Sequence, residues 1–228
     1  MRKWIHGFLF IGIIASFISV SACSSDNEDS VEPQEYNGEL LVLEIGDKWM
    51  HKGNLAGIEV VLVIEITGEE IVDEVECYTY AAFIDPPLFG AQYVTGIVEK
   101  GTLDEIEGHM YGEVGGEPSE TVYLSSYEYS DPPYPLTIGE TWTVVETEII
   151  EYRMMGETES ETEVNESTWE VTGIEEIEVP AGTFRCFKIE KYDDTGSLVQ
   201  VQWYSDIDKG QSIKEVDYED DMEVELIG

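Results

Sequence analysis

The sequence predicts an all-β protein with little helix, folded as an antiparallel curved sheet or a partly open barrel. The first observation is the alternation of apolar and polar residues, as in residues 199–204 with the order Val-Gln-Val-Gln-Trp-Tyr. Residues 169–172 and 176–179 alternate in the same way. In addition, turn-forming residues separate these segments, and no long segment has helical periodicity. Strict alternation predicts strands with one buried side and one side in solvent.

The N-terminal 22 residues have the three parts of a secretion signal. Arg2 and Lys3 are basic, residues 7–20 are apolar, and small residues precede Cys23. The apolar run is shorter than the roughly 20 residues that cross a bilayer as a helix. The order Val-Ser-Ala-Cys resembles the lipobox of bacterial lipoproteins, so we expect residues 1–22 to be removed and Cys23 to be acylated. The alternative is an ordinary signal peptide with a chance cysteine.

A polar segment separates this cysteine from the part of the chain that can fold. Residues 23–37 are rich in Ser, Asp, Glu and Asn and have few apolar side chains. Such a composition cannot bury a core, so we expect a flexible acidic tether. Residues 38–228 are numerous enough to bury one sizeable core, and we expect them to form a single β domain.

A weak internal repeat divides this domain. Residues 45–49 and 138–142 share the order Ile-Gly-acid-x-Trp, and a Thr-Gly pair and a cysteine follow each of them later in the chain. Because the spacings differ, duplication is a hypothesis. It predicts two similar halves, at about residues 38–135 and 136–228, that pair into one curved sheet or barrel.

Individual strands and turns can also be predicted. Residues 60–64 are continuously apolar, which is typical of a central strand, and the only helical candidate is the short segment Gly101–Met110. Turns are expected where Gly, Pro and Asp cluster. These clusters lie at residues 67–68, 85–87, 115–116, 131–133, 193–196 and 209–210.

The chain is strongly acidic. It has 11 lysines and arginines against 50 aspartates and glutamates, and its formal net charge is −39. This charge opposes nucleic-acid binding, which depends on basic side chains at phosphates. It also opposes direct contact with anionic lipid headgroups, so we expect the lipid on Cys23 to provide the membrane attachment. The acids are dispersed through strand-like segments, which is typical of a solvated anionic surface.

Two cysteines and two histidines of the predicted domain have side chains that can form a disulfide or bind a metal. Cys77 and Cys186 lie in strand-like segments beside aromatic residues, which favours buried thiols over a disulfide between them. His51 and His109 are far apart in the sequence and form no H-x-H or H-x-x-x-H pattern. A zinc site is therefore not expected.

The most distinctive stretch is a predicted strand–turn–strand at residues 177–189. Its turn has the order Pro-Ala-Gly-Thr, in which proline presets φ and glycine allows a positive φ. The full set of signature positions is Gly139, Trp142, Pro180, Ala181, Gly182, Thr183, Phe184, Trp203 and Gly210. We expect these residues to have a structural role in the turn and its surroundings.

This signature resembles a family of uncharacterised envelope proteins that share a "VPAGTF … WY … G … K" pattern and are classed as a domain of unknown function. The resemblance covers mainly residues 136–216. It implies a fold related to the periplasmic lipoprotein carriers, in which a curved antiparallel sheet encloses an apolar cavity. The first half has the Gly-x-x-Trp start without the Pro-Ala-Gly turn, and the resemblance assigns no functional residue.

Two further segments have features of a binding site. Asp206 and Asp208 have the D-x-D-x-G spacing of a calcium loop, but no bidentate acid follows at the required distance, so a hairpin turn is the expectation. Four tyrosines cluster before the second half and can be buried or exposed to a partner; we expect burial. They are Tyr123, Tyr127, Tyr129 and Tyr134.

The sequence therefore predicts an extracytoplasmic protein, lipid-anchored to the cell membrane or outer membrane. We expect a non-catalytic binding module for an apolar ligand or an envelope component, without a cofactor. The alternative is a structural or assembly lipoprotein that docks a partner protein through its sheet edge or its tyrosine-rich face. A hydrolase is a remote alternative, because no nucleophile–base pair or metal cluster is present in the sequence.

Overall fold

Twelve antiparallel strands form a closed barrel. The computed structural model describes residues 43–55, 57–88, 91–100, 102, 104–114, 116–131, 136–155, 157–205, 212–219 and 221–228. The strands are β1 (Lys48–Leu55), β2 (Ile58–Val72), β3 (Val75–Leu88), β4 (Ala91–Glu99), β5 (Glu105–Val114), β6 (Glu117–Tyr129), β7 (Thr141–Met154), β8 (Glu157–Val179), β9 (Gly182–Tyr192), β10 (Leu198–Ser205), β11 (Ser212–Asp217) and β12 (Met222–Leu226). The described residues contain no helix. The predicted all-β antiparallel architecture is confirmed.

Every strand pairs with its neighbour in the chain, and the last strand pairs with the first. The closing register runs from His51 opposite Leu226 to Leu55 opposite Met222. Beyond these pairs, the backbone N–H of Met50 donates to the carbonyl of Gly228 at 2.7 Å. Closure leaves each strand with a partner on both sides over at least part of its length, which removes most sheet edges.

The interior can be assigned from the strand register. Directly opposite residues of antiparallel strands project to the same face of the sheet. The predicted central strand at residues 60–64 lies in β2, where residues 60, 62 and 64 are buried. They belong to the largest apolar cluster, together with Leu43, Trp49, Ile66, Tyr78, Tyr80, Ala82, Ile84, Val94, Val98, Tyr123, Ile150, Met222 and Val224.

Two corners of the barrel have matching backbone geometry. Gly46 and Gly139 both adopt a positive φ, at 98° and 84°. The N–H of Gly46 donates to the carbonyl of Ile66 and that of Gly139 to the carbonyl of Val171, in both cases at 2.8 Å. The strand register also shifts directly after Ile66 and after Val171. The two repeated sequence patterns thus form the same local structure.

Some predicted turns have a different structure. The predicted turn at residues 193–196 lies between β9 and β10, and Gly116, the described residue of the cluster at 115–116, lies between β5 and β6. Residues 67–68 instead form a bulge within β2, and residues 85–87 continue β3. The predicted helix at residues 101–110 was wrong, because residues 105–110 belong to strand β5. These residues pair with β4 in an antiparallel register.

The remaining two predicted turns lie largely outside the described residues. Only Asp131 of the cluster at 131–133 is described, and residues 209–210 lie outside the described residues. Cys77 and Cys186 are free cysteines, and both thiols are buried. Burial raises the pKa of the Cys77 thiol.

Strand β10 is buried on both faces, whereas its alternation predicts one face in solvent. Gln200 and Gln202 of β10 lie opposite Asp217 and Glu215, and Glu215 lies opposite Val224 of the apolar cluster. The glutamines therefore face the barrel interior and are buried, whereas alternation predicts them in solvent. The reason is that the carboxyl of Glu215 lies inside the barrel and accepts hydrogen bonds from both glutamines.

Candidate functional site

A group of carboxyl and phenol side chains projects inward from three adjacent strands. Glu105 opens β5 opposite Val98, which is fully buried. Tyr127 of β6 lies opposite Glu146 of β7. We call this group the inner wall and define it as Asp104, Glu105, Tyr123, Tyr127, Tyr129, Glu146 and Glu148.

Glu105 is the most deeply buried acid of the inner wall. It is 2% exposed, and the hydroxyl of Tyr80 donates to its Oε1 at 2.9 Å. Its Oε2 has no hydrogen-bond partner among the described residues. Burial raises the pKa of this carboxyl well above its usual value; the Tyr80 bond opposes the shift, whereas Glu148 and Glu146 add to it.

A glycine on the neighbouring strand makes room for this contact. Tyr80 of β3 lies opposite Gly96 of β4, which in turn lies opposite Gly108 of β5. A Cβ atom on Gly96 would come within 2.5 Å of the Tyr80 ring. The ring therefore crosses β4 at the only residue type that leaves space for it, and its hydroxyl reaches Glu105.

The other acids of the wall are half-buried and so are accessible to solvent. The Tyr129 hydroxyl donates to Asp104 Oδ1 at 2.6 Å. Burial is the main cause of the raised pKa of Asp104, which the bond from Tyr129 partly offsets. Burial, followed by Glu146 and Glu163, raises the pKa of Glu148 to about 7. No lysine or arginine of the described residues forms an ion pair with these acids.

One tyrosine of the wall is buried, as predicted, and two are partly buried. Tyr123 is 2% exposed, and Tyr127 and Tyr129 are half-buried against a second apolar cluster. Tyr134 lies outside the described residues. The second cluster contains Leu136, Trp142, Val144, Trp169, Val171, Phe187, Ile189 and Tyr204.

Aromatic rings adjoin the acids within this second cluster. Trp142 and Trp169 are stacked, with ring centroids 6.3 Å apart and an interplanar angle of 8°. The ammonium of Lys191 lies 5.2 Å from the centroid of Trp169. The interior thus contains one cation on an aromatic face, an arrangement worth about 0.5–2 kcal/mol according to its burial.

A separate polar group lies on the other side of the interior. Glu215 is fully buried and accepts hydrogen bonds from the side-chain amides of Gln200, at 2.5 Å, and Gln202, at 3.3 Å. Burial raises the pKa of Glu215 to about 8, and Asp217 adds to the shift, whereas the glutamine bonds and Lys191 oppose it. This carboxyl explains why β10 directs its glutamines inward.

The two histidines have different surroundings. Burial lowers the pKa of His51 to about 4, against an opposing backbone hydrogen bond with Ser212, so its imidazole is neutral at pH 7. His109 lies on the outer face between Glu107, at 2.7 Å, and Glu120, at 2.9 Å. In the described ranges, no group of three or more His, Cys, Asp or Glu could hold a metal ion.

The signature turn lies at the end of the barrel. Residues 180–181 connect β8 to β9, and the N–H of Ala181 donates to the carbonyl of Leu226 in β12 at 3.3 Å. Gly182 has a φ of 146°. Phe184 and Trp203 pack with Ile177, Val179, Cys186, Ile213 and Leu226 in a third apolar cluster, and the Trp203 indole donates to Glu175. The turn thus joins the hairpin to the strand that closes the barrel.

The rest of the signature and the predicted lipid and metal positions are distributed as follows. Gly139 and Trp142 form the corner before β7 and its first buried residue, and Thr183 is exposed in β9. Cys23, Asp206, Asp208 and Gly210 lie outside the described residues.

Sequence comparison finds a family profile that is similar to the second half of the chain. Residues 133–218 match the sequence profile of the DUF3108-like family. This match confirms the resemblance to a family of unknown function that the signature indicated over residues 136–216. No curated protein sequence matches the chain significantly. The part of the chain that the structure describes has no apolar helix of membrane-spanning length.

Three solved structures are similar to the chain. One, described as an exported protein with a YmcC-like fold from Bacteroides fragilis, is 9% identical, with 82% of this chain and 97% of that chain covered and a TM-score of 0.37. A protein described as a lipoprotein from Parabacteroides distasonis is 12% identical, with 81% and 94% covered and a TM-score of 0.34. The hypothetical lipoprotein YmcC from Escherichia coli is 12% identical, with 87% and 89% covered and a TM-score of 0.38.

Sequence reasoning did not find the inner wall. Its acids come from two strands and the residue before one of them, and they meet only when the register of β5, β6 and β7 is known. Among 50 acids, no local pattern distinguishes Glu105 or Glu148. The sequence signal that pointed to the inner wall was the tyrosine cluster at residues 123–129, because these tyrosines are part of that wall.

Proposed function

We propose that this protein is exported, anchored by lipid on Cys23 and non-catalytic, and that the inner wall binds a small amphipathic ligand with a protonated amine. The observation that carries the proposal is the Glu105 carboxyl. It is almost completely buried and has an oxygen without a partner among the described residues. Buried polar groups nearly always have a hydrogen-bond partner, so we infer that a donor group of a ligand completes this oxygen.

The surroundings of Glu105 favour a cationic partner. Glu146 and Glu148 interact electrostatically with it, and like charges in a partly buried space repel. An ammonium group that entered this space would have three donors for the carboxyl oxygens and would offset the repulsion.

An apolar part of the ligand would lie against the neighbouring aromatic rings. Tyr127 and Tyr129 belong both to the wall and to the second apolar cluster, and both are partly accessible. Trp169 in the same cluster already carries the Lys191 ammonium on its face. Rings beside carboxylates suit an amine attached to a hydrocarbon body, because the rings exclude water from the hydrocarbon and attract the cation.

The proposal is tested with three probes that share one hydrocarbon body. The full chain is titrated with decylamine, decanol and decanoate, and binding is followed by tryptophan fluorescence. We expect decylamine to bind about tenfold or more tightly than decanoate, with decanol between them, because a charge-assisted hydrogen bond contributes about 1.5–3 kcal/mol. Equal affinity for decanoate and decylamine, or no binding of either, would refute the proposal.

Matched substitutions locate the binding. Glu148→Gln should weaken decylamine about tenfold and leave decanol unchanged, since it removes only the charge. Glu128→Gln is the control, because Glu128 is exposed on the opposite face of β6. Equal losses in the two variants would place the decylamine outside the barrel.

The pH dependence gives a third readout. Glu148 has a pKa of about 7, so the fraction of this carboxyl that is ionised rises from pH 6 to pH 8 while decylamine remains protonated. The affinity for decylamine should therefore increase over this range, and Glu148→Gln should remove most of the increase. An affinity that does not change with pH in the wild-type chain would contradict this assignment.

A further inference from the structure

We propose that one edge of β8 accepts an extended, lysine- or arginine-rich segment of a partner protein as an additional strand. The edge is the side of residues 157–167 that faces away from β7, and we call it the outer edge. The proposal concerns the backbone edge of β8 and does not require a ligand at the inner wall. Glu159, Glu161 and Glu163 lie opposite Tyr152, Ile150 and Glu148, so they project to the same face of the sheet as the inner wall.

The outer edge results from unequal strand lengths. Strand β8 has 23 residues and pairs with β7 from Glu157 to Glu170. Its pairing with β9 begins only at Thr168, which lies opposite Tyr192. No strand in the described ranges pairs with the outer edge. A row of backbone N–H and C=O groups about 35 Å long is therefore available to another strand.

The side chains along this edge have one sign of charge. Every residue from 157 to 166 is exposed. Alternate residues 157, 159, 161 and 163 are glutamates, Glu166 follows, and no lysine or arginine occurs between 157 and 167. Because alternate residues of a strand share a face, the four glutamates line one face of this hairpin.

A shallow depression continues the outer edge at its C-terminal end. It lies between β8 and the turn that connects β9 to β10, and it is lined by Glu166, Ser167, Thr168, Tyr192, Asp193, Asp194 and Gly196. An added strand would run along the edge toward this depression. There a basic side chain would meet two more acids, Asp193 and Asp194, and the ring of Tyr192.

Charge decides among the possible occupants. A second copy of the chain would bring its own glutamates against these glutamates, and like charges directly opposite are destabilising. The segment 24–36 of this chain has five acids and no lysine or arginine, so it is repelled as well. A basic extended segment of another protein has the complementary charge and can use the backbone groups, which is the mode of β-strand addition.

The test uses a peptide of about eleven residues with alternating lysine and valine or threonine, together with the full chain at about 0.15 M salt. Hydrogen exchange is measured on residues 157–167 with and without the peptide. We expect exchange to slow about tenfold or more at alternate residues of this segment, since an added strand bonds to every second residue. Binding of the peptide without protection there would overturn the proposal, as would no binding.

Charge-reversal variants separate the edge from the general acidity of the chain. The triple variant Glu159→Lys, Glu161→Lys and Glu163→Lys should weaken the peptide about tenfold or more. A control with the same change in net charge replaces three exposed glutamates of β5 and β6, at positions 113, 117 and 128, with lysine. Equal effects of the two triple variants would show attraction by net charge alone and would overturn the proposal.

A modified peptide separates strand addition from ion pairing. N-methylation of alternate residues removes the backbone donors on one edge and keeps every side-chain charge. If the peptide adds as a strand, one of the two N-methylated registers should bind about tenfold or more weakly than the parent. Equal binding of both registers and the parent would mean that the glutamates act only as charges, as on edges that resist aggregation.

Discussion

The buried carboxyl of Glu215 should make the protein less stable as the pH rises. The group is fully buried, receives hydrogen bonds from Gln200 and Gln202, and has its pKa raised from 4.5 to about 8. Between these two values the unfolded chain loses the proton and the folded chain keeps it. The folded state therefore binds more protons, and the free energy of unfolding falls as the pH increases.

The size of the effect follows from the shift. One pKa unit corresponds to about 1.4 kcal/mol, so a group that titrates near pH 8 in the folded state lowers the free energy of unfolding by roughly 5 kcal/mol. The contribution is absent below about pH 4.5, develops from there to about pH 8, and is constant at higher pH. Asp217 and Lys191 are the charged groups that affect this carboxyl.

The perturbation is Glu215→Gln, which keeps the shape and removes the ionisation. Urea unfolding at half-unit intervals from pH 5 to pH 8.5 gives the free energy of unfolding of each variant. We expect the wild-type curve to fall more steeply than that of Glu215→Gln by about 1.4 kcal/mol per pH unit in the middle of this range. Glu219→Gln, at an exposed residue four positions later, should keep the wild-type slope. Parallel curves for the wild type and Glu215→Gln would refute the reasoning.

Three further predictions concern the fold and the anchor. Gly96→Ala should lower the free energy of unfolding by about 1–3 kcal/mol, because its Cβ would overlap a buried tyrosine ring. Gly173→Ala, which has no atom within 4 Å of the added Cβ, should change the free energy of unfolding by less than about 1 kcal/mol. Thermal unfolding compares the two variants, and similar losses would contradict the packing argument. Gly46→Ala and Gly139→Ala should each lower the free energy of unfolding by about 1–2 kcal/mol in the same assay, because both glycines have a positive φ and open space around them. Unequal effects would show that the two corners differ in backbone strain. Cys23→Ala should release the protein from membranes into the soluble fraction in a detergent-free wash, and retention in the membrane fraction would exclude the lipid as the anchor.

The sequence predicted the general fold well because strand alternation and corner glycines are local signals. Gly46 and Gly139 need a positive φ whatever surrounds them, so their pattern was informative without any structure. The bulge at Thr67 was misjudged because a bulge and a turn use the same residues. The short proline cluster after Asp85 likewise suggested a turn, although the strand continues through it.

The interior could not be predicted because it depends on register. Alternation fixes which residues share a face but not which face is buried when both carry polar and apolar side chains. In residues 199–204 the glutamines face inward because Glu215, on the next strand, needs donors inside the barrel. The inner wall is hidden for the same reason, since Glu105 and Glu148 are 43 positions apart in the sequence and are brought together only by β6.

The length of β8 is a further feature that composition obscures. Residues 157–166 are polar and exposed, which is also typical of a loop. They form a strand because each has a partner in β7, in an unbroken register from Met154 opposite Glu157 onward. The outer edge exists because β9 begins to pair only at Thr168, and no property of residues 157–167 themselves determines that position.

The central claim is that the inner wall holds an amphipathic amine, and the most direct measurement is of what the protein carries. The full chain and its Glu148→Gln and Glu128→Gln variants are purified from its native cells, extracted with organic solvent, and the extracts compared by mass spectrometry. We predict that an amphipathic amine accompanies the wild type and Glu128→Gln at similar ratios and is depleted about tenfold from Glu148→Gln. The same set of molecules at the same ratios in all three extracts would contradict the claim.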